Sequence, residues 1–163
     1  MSLESWKAEF YPVPAKQCEV KDSVQHALTK WKGLLPDNCE RHEVILYHTV
    51  LILIASIDEA HRLRLSIGDI RGFDIGSDNC PLCIHYKGCR SCPITKSRTG
   101  VNRTGAQCDR ALPSEAISPW GAFLRHNNPR PMISCLESTL EFEKHALLES
   151  QALIQANITI GTV

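Results

Sequence analysis

From Val20 onward the apolar positions Val24, Ala27, Leu28, Trp31, Leu34 and Leu35 recur at steps of three and four. That spacing predicts one amphipathic helix, stopped by Gly33 and Pro36. Asp37 stands three residues before Glu40, a capping pair that predicts a second helix running to about Leu65. Its stretch VILYHTVLILIASI is apolar almost all round and reads as a buried central helix, with a strand as the alternative because so many of its residues are β-branched. Upstream, Phe10 to Ala15 (FYPVPA) reads as extended or turn-like, since Pro12 and Pro14 disfavour helix in the residues before them. Residues 66–79 alternate weakly and hold Gly68, Gly72 and Gly76, which predicts a short hairpin or an ordered loop.

Residues 80–117 are rich in Cys, Gly and Pro and have little periodicity, so something other than a hydrophobic stripe is expected to hold them. Ser118-Pro119 has the form of an N-cap followed by proline at the first helical position, and predicts a short helix over Trp120, Phe123 and Leu124. A last helix should follow Pro131 with Ile133, Leu136, Leu140 and Leu147 on one face, and the tail after Gln155 reads as weakly ordered. The expected fold is mainly α with little β structure: a single domain over 1–163. Its helical core spans about 20–65 and 118–155, with a Cys-rich metal-binding insert, a zinc knuckle, at about 78–117.

With 163 residues and 43% hydrophobic content the chain is long and apolar enough for one real core. The opening MSLESWKAEF has no apolar stretch of the secretory kind, and the longest apolar run, from Val44 to Ile57 and interrupted by His48, is too short for a membrane span. These features predict a cytoplasmic protein without a membrane partner. Its eighteen basic and eighteen acidic residues are unevenly spread. Residues 1–79 hold nine basic and twelve acidic side chains, residues 80–131 eight and two, and residues 132–163 one and four. A basic island therefore lies between acidic flanks, which excludes a uniformly basic nucleic-acid coat but not a local patch.

Cysteine is concentrated in the same island. Cys80-Pro-Leu-Cys83, Cys89-Arg-Ser-Cys92 and Cys108 account for five of eight cysteines, while Cys18, Cys39 and Cys135 are scattered and read as small buried hydrophobes. Each C-x-x-C can turn two thiolates onto one ion, and two such pairs supply the four soft ligands of a tetrahedral zinc site. Cys80, Cys83, Cys89 and Cys92 are the expected ligands, with Cys108 and His85 as alternatives. An iron–sulfur cluster is a competing cofactor, since Cys92-Pro93 matches the Cys-Pro that closes ferredoxin ligand runs, although the other spacings depart from them. A redox dithiol is a third reading, weakened by the lack of a strand-to-helix context.

The order CPLC, CRSCP, Cys108, Ser118-Pro119-Trp120 and Pro131-Met132 resembles a group of short uncharacterised phage and bacterial proteins with a CPxC…CxxCP motif. The likeness extends upstream to Phe10-Tyr11-Pro12 and to Lys30-Trp31-Lys32-Gly33-Leu34, and covers about residues 10–140. The resemblance implies a phage or prokaryotic origin and a metal knuckle, and no reaction.

Tyr86, Lys87, Arg90, Lys96, Arg98, Arg103 and Arg110 form the expected binding residues of the island, among small hydroxyl and glycine residues suited to phosphate contact. The same cations would also offset the negative charge of a tetrathiolate centre. His126-Asn127-Asn128 after a cysteine knuckle invites comparison with His-Asn-His nucleases, and Glu141 and His145 share a helical face. Both read more simply as solvated residues, as do Asp58, Glu59 and His61, while His48 reads as a core histidine. No phosphate loop or nucleophile elbow is present, so the case for an enzyme is thin. The expected function is a zinc-stabilised, non-enzymatic binding protein acting on a host protein as inhibitor or regulator, with homodimerisation through the apolar helix. The alternative is a small nucleic-acid-binding zinc protein using residues 86–110.

Overall fold

The computed structural model describes residues 2–47, 49–53, 72–99, 108–112 and 115–160. The fold is mainly α with a small antiparallel sheet. Helix α1 covers Leu3–Phe10, a segment the hydrophobic pattern did not single out. Its signal is a capping box: the Ser2 side chain accepts from the Ser5 amide at 3.1 Å, and Ser5 Oγ accepts from the Ser2 amide at 3.0 Å. Trp6 and Phe10 turn inward from it.

Helix α2, Ser23–Lys32, carries the expected stripe and ends at Gly33. A Cβ at Gly33 would stand 2.5 Å from Phe10 Cγ and 2.8 Å from Trp6 Cζ2, so only glycine lets α1 close against this corner. The Trp6 indole N–H donates to the Gly33 carbonyl at 2.8 Å across that contact.

The long second helix is not formed. Helix α3 spans only Pro36–Arg41, with Leu35 as N-cap and Pro36 in the first turn in place of an Asp37–Glu40 capping pair. Glu43 then adopts φ 55, a left-handed conformation that ends the helical course. The apolar run that follows is a hairpin, β1 (Val44–Tyr47) and β2 (Val50–Leu53), in register Val44↔Leu53 through Tyr47↔Val50. An apolar run reads alike as a buried helix or as strands buried on both faces; the β-branched Val44, Ile45, Val50 and Ile52 decide for strands. Strand β3, Phe73–Asp74, adds to β2 as Leu51↔Phe73 and Val50↔Asp74. The expected hairpin or loop over 66–79 is thus seen from residue 72 as an edge strand and a 3-10 turn at Ser77–Asn79. The rest of that stretch, and 54–65, lie outside the described residues.

Short helices α4 (Pro81–Tyr86) and α5 (Pro93–Thr99) follow, then α6 (Pro119–His126) and α7 (Arg130–Ile160). Ser118 caps α6 as expected, its Oγ accepting from the Gly121 amide at 3.0 Å. Helix α7 continues through the tail that was expected to be weakly ordered, and packs against α2, α5 and α6. One core unites these elements: Trp6, Leu28, Trp31, Leu51, Ile75, Phe123 and Leu136 are all buried in it. The Cys-rich segment contributes Leu82 and Ile94 to that same core, so apolar contact holds it as well as whatever its thiols bind. Among the described residues no helix is long and apolar enough to cross a membrane.

Candidate metal centre

Local structure explains how the five clustered thiols come to line one cavity. Cys80 is the N-cap of α4 and Pro81 its first residue, so Cys83 follows three positions on, on the same helical face. Lys87 ends α4 in the left-handed conformation at φ 44 and turns the chain back. The Cys89 carbonyl then accepts from the Cys92 amide at 3.3 Å and from the Thr95 hydroxyl at 2.5 Å, a tight turn leading into α5. Cys108 arrives from a separate segment and is tied to α6, its carbonyl accepting from the Trp120 amide at 2.8 Å.

Cys80, Cys83, Cys89, Cys92 and Cys108 all line one cavity of 160 Å³, walled otherwise by apolar side chains including Trp31, Ile94, Met132 and Leu136. A second cavity of 310 Å³ adjoins it and shares Cys80, Cys83, Cys89 and Cys108, adding Lys30 and Trp120. None of the eight cysteines is in a disulfide. Among the described residues, however, no group of three or more Cys, His, Asp or Glu side chains is arranged to hold a metal ion: the thiols ring the cavity and do not meet at one point.

The electrostatics of the ring are uneven. The Cys80 thiol is made more acidic, chiefly by a hydrogen bond from Cys83 and further by the nearby Lys30 ammonium, against the opposing effect of burial. Cys83 is pushed the other way by the same contact. Burial raises Cys92 to about 11 and Cys108 to about 12. Cys80 is thus the most acidic thiol of the ring, while burial holds Cys89, Cys92 and Cys108 above the ordinary thiol value.

His85 lines neither cavity. Its Nε2–H donates to the Cys18 carbonyl at 2.7 Å, which ties α4 to the segment before α2. Cys18 and Cys135 are buried as expected and Cys39 is half-buried, with burial raising both Cys39 and Cys135 to about 11.

The basic island divides. Lys87, Arg90, Lys96 and Arg110 are exposed, and Tyr86 packs against the core with burial raising its phenol. Arg98 is drawn inward: its guanidinium pairs with Glu115 and donates to the Arg110 carbonyl at 3.2 Å, with only 7% of the side chain exposed. Arg103, His48, Asp58, Glu59 and His61 lie outside the described residues. The His126-Asn127-Asn128 segment does structural work: Asn127 is the left-handed residue that ends α6, and Asn128 Oδ1 accepts from the Arg130 amide at 3.1 Å at the start of α7. Glu141 pairs with Lys144 on an exposed face.

Two features escaped the sequence pattern. Lys30 and the aromatic pair Trp31 and Trp120 border the thiols, and the only sign of Lys30 was a charge set between Ala27 and Trp31 on an apolar stripe. A Ser5–His42–Glu9 chain also forms, with Ser5 Oγ 2.8 Å from His42 Nδ1 and the His42 Nε2–H donating to Glu9 at 3.0 Å. Ser5 is already bound into the capping box and donates to the Ser2 carbonyl at 2.8 Å, so this chain ties α1 to the end of α3. No protein-family model, curated protein or solved structure matches the chain.

Proposed function

We propose that this chain is a non-enzymatic binding protein of phage or bacterial type, organised by a zinc–thiolate centre and acting on a protein partner. The observation that carries the reading is the gathering of Cys80, Cys83, Cys89, Cys92 and Cys108 around one apolar cavity. Soft sulfur donors in such number, brought from three separate stretches of chain, suit zinc. Cys80, Cys83, Cys89 and Cys92 serve as ligands, with Cys108 able to replace one of them. A zinc ion held by these four would link α4 to the turn before α5, and Cys108 as a ligand would add the start of α6.

Elemental analysis and an absorption spectrum of protein purified anaerobically without added metal test this. One zinc per chain in a colourless solution is expected, and loss of that zinc from Cys80→Ser. Iron with sulfide in a brown protein would replace zinc by a cluster, and a metal-free protein that takes up neither would refute the centre. Co-purification of one partner protein that survives high salt is the expected mark of the binding role.

The exposed Lys87, Arg90, Lys96 and Arg110 favour a second reading, contact with nucleic acid. That reading requires an affinity for DNA or RNA that falls steeply with salt and weakens in Lys87→Ala with Arg90→Ala. Binding indifferent to either change would refute it.

A further inference from the structure

Lys30 occupies a position where the pattern of α2 asks for an apolar residue. It lies between Ala27 and Trp31 on the buried stripe, and none of its surface is exposed. Lysine is almost never enclosed so completely unless its charge is matched. Its Nζ donates to the carbonyls of Ile75 at 3.0 Å and Asn79 at 2.9 Å. Two carbonyls satisfy protons but bring no net charge. Burial pushes Lys30 toward the neutral amine, and the groups that oppose this and favour the ammonium are Cys80, Cys83 and the carboxylate of Asp74. Asp74 is exposed and its Oδ1 already accepts from the Gly76 amide at 3.1 Å, and Asp109, on the same cavity wall as Lys30, is exposed as well, whereas the half-buried Cys80 shares that wall together with Cys83.

We infer that Lys30 is the built-in counter-cation of the thiolate centre, a positioning residue that offsets the negative charge of the metal-bound sulfurs from inside the fold. The inference rests on the metal–thiolate reading above. A tetrathiolate zinc complex is formally dianionic, and Trp31, Met132 and Trp120 wall one side of this cavity with apolar surface. In such surroundings a fixed ammonium stabilises the loaded state far more than the surface cations Lys87 or Arg90, whose fields are screened. It also accounts for the departure from the stripe: an enclosed lysine is costly without an anion and favourable beside one. Because the two carbonyl bonds anchor Nζ to the strand end and turn just before Cys80, the charge is held at a set place relative to the first ligand.

The test is zinc affinity by chelator competition, with the cobalt-substituted protein as spectroscopic control. Lys30→Gln removes the charge and keeps an N–H donor for one carbonyl. It is expected to weaken zinc roughly 10–100-fold, the range seen when groups behind metal ligands are removed, while the thiolate-to-cobalt absorption bands keep their positions. Lys21→Gln, at an exposed pair with Glu19, should change neither. Zinc affinity within twofold of the wild type in Lys30→Gln would overturn the inference while leaving the metal centre standing. Shifted cobalt bands would also overturn it, since the residue would then act by shaping the ligand set. A wild type that binds neither zinc nor cobalt removes the centre and the inference together. Should Lys30→Gln fail to fold, nitrogen NMR of the lysine side chain in the zinc-loaded wild type decides: an ammonium signal is expected, and a neutral amine refutes the counter-cation.

Discussion

Trp31 joins the core to the thiol cavity, and its removal gives a quantitative test of that arrangement. The side chain is 2% exposed, meets Phe123 edge-on at 4.8 Å between ring centroids and Trp120 edge-on at 5.8 Å, and lines both cavities beside the cysteines. Burying a ring of this size removes about 150–250 Å² from water, which at about 25 cal/mol per Å² corresponds to roughly 4–6 kcal/mol. Truncation to alanine would enlarge the neighbouring 160 Å³ space and forfeit both edge-on contacts. Measured truncations of buried aromatic residues cost about 3–5 kcal/mol, so about 4 kcal/mol is expected for Trp31→Ala. A domain of this size has about 5–15 kcal/mol in total, and the loss should lower the melting temperature by roughly 8–16 °C. Urea unfolding followed by far-ultraviolet circular dichroism measures it as a lower midpoint at unchanged slope. Leu124→Ala, on the exposed side of α6 at 52% exposure, should stay within about 0.5 kcal/mol. A loss below about 1 kcal/mol for Trp31→Ala would refute the packing described here.

Gly33→Ala should destabilise by about 1–3 kcal/mol, because its Cβ would meet the Phe10 and Trp6 rings at 2.5–2.8 Å; an unchanged urea midpoint would show that α1 does not close on this corner. Ser118→Ala removes the N-cap of α6 and should cost about 1 kcal/mol, read the same way, with Ser118→Asn retaining most of the stability. Glu9 has its carboxyl held below the usual value first by the hydrogen-bonded Arg41 and then by His42, against opposing desolvation. A depressed carboxylate stabilises the fold above its ordinary pH range, and that contribution is lost as pH falls through its folded value. The protection factors of the α1 amides, corrected for intrinsic exchange, should therefore fall below about pH 4.5; a Glu9→Gln protein that kept the same acid step would refute the assignment.

What the linear pattern determines here is whatever depends on neighbours along the chain. The stripe from Val24 to Trp31 became α2 because helical spacing alone aligns those side chains, and Ser118-Pro119 opened α6 because capping is a local hydrogen bond. The pairing within each C-x-x-C was legible for the same reason, since a local turn sets Cys80 against Cys83, whereas the cavity that both pairs and Cys108 line depends on the tertiary fold. Legibility failed where a choice depended on distant partners. The run from Val44 to Leu53 is apolar almost all round and suits a helix or a strand; it became a hairpin, with Phe73 in a third strand from far along the chain. Arg98 looked like a surface cation until Glu115 drew it in, and only the fold shows that His85 donates to the Cys18 carbonyl and lines neither thiol cavity. Lys30 is the sharpest case. In sequence it is one more charge beside Trp31, and only the packing of α2 against the turn before Cys80 encloses it. Burial, and the electrostatic role that follows from it, is a property of the assembled layers: the energy of a charge is set by what stands around it in three dimensions, which residue order alone does not contain.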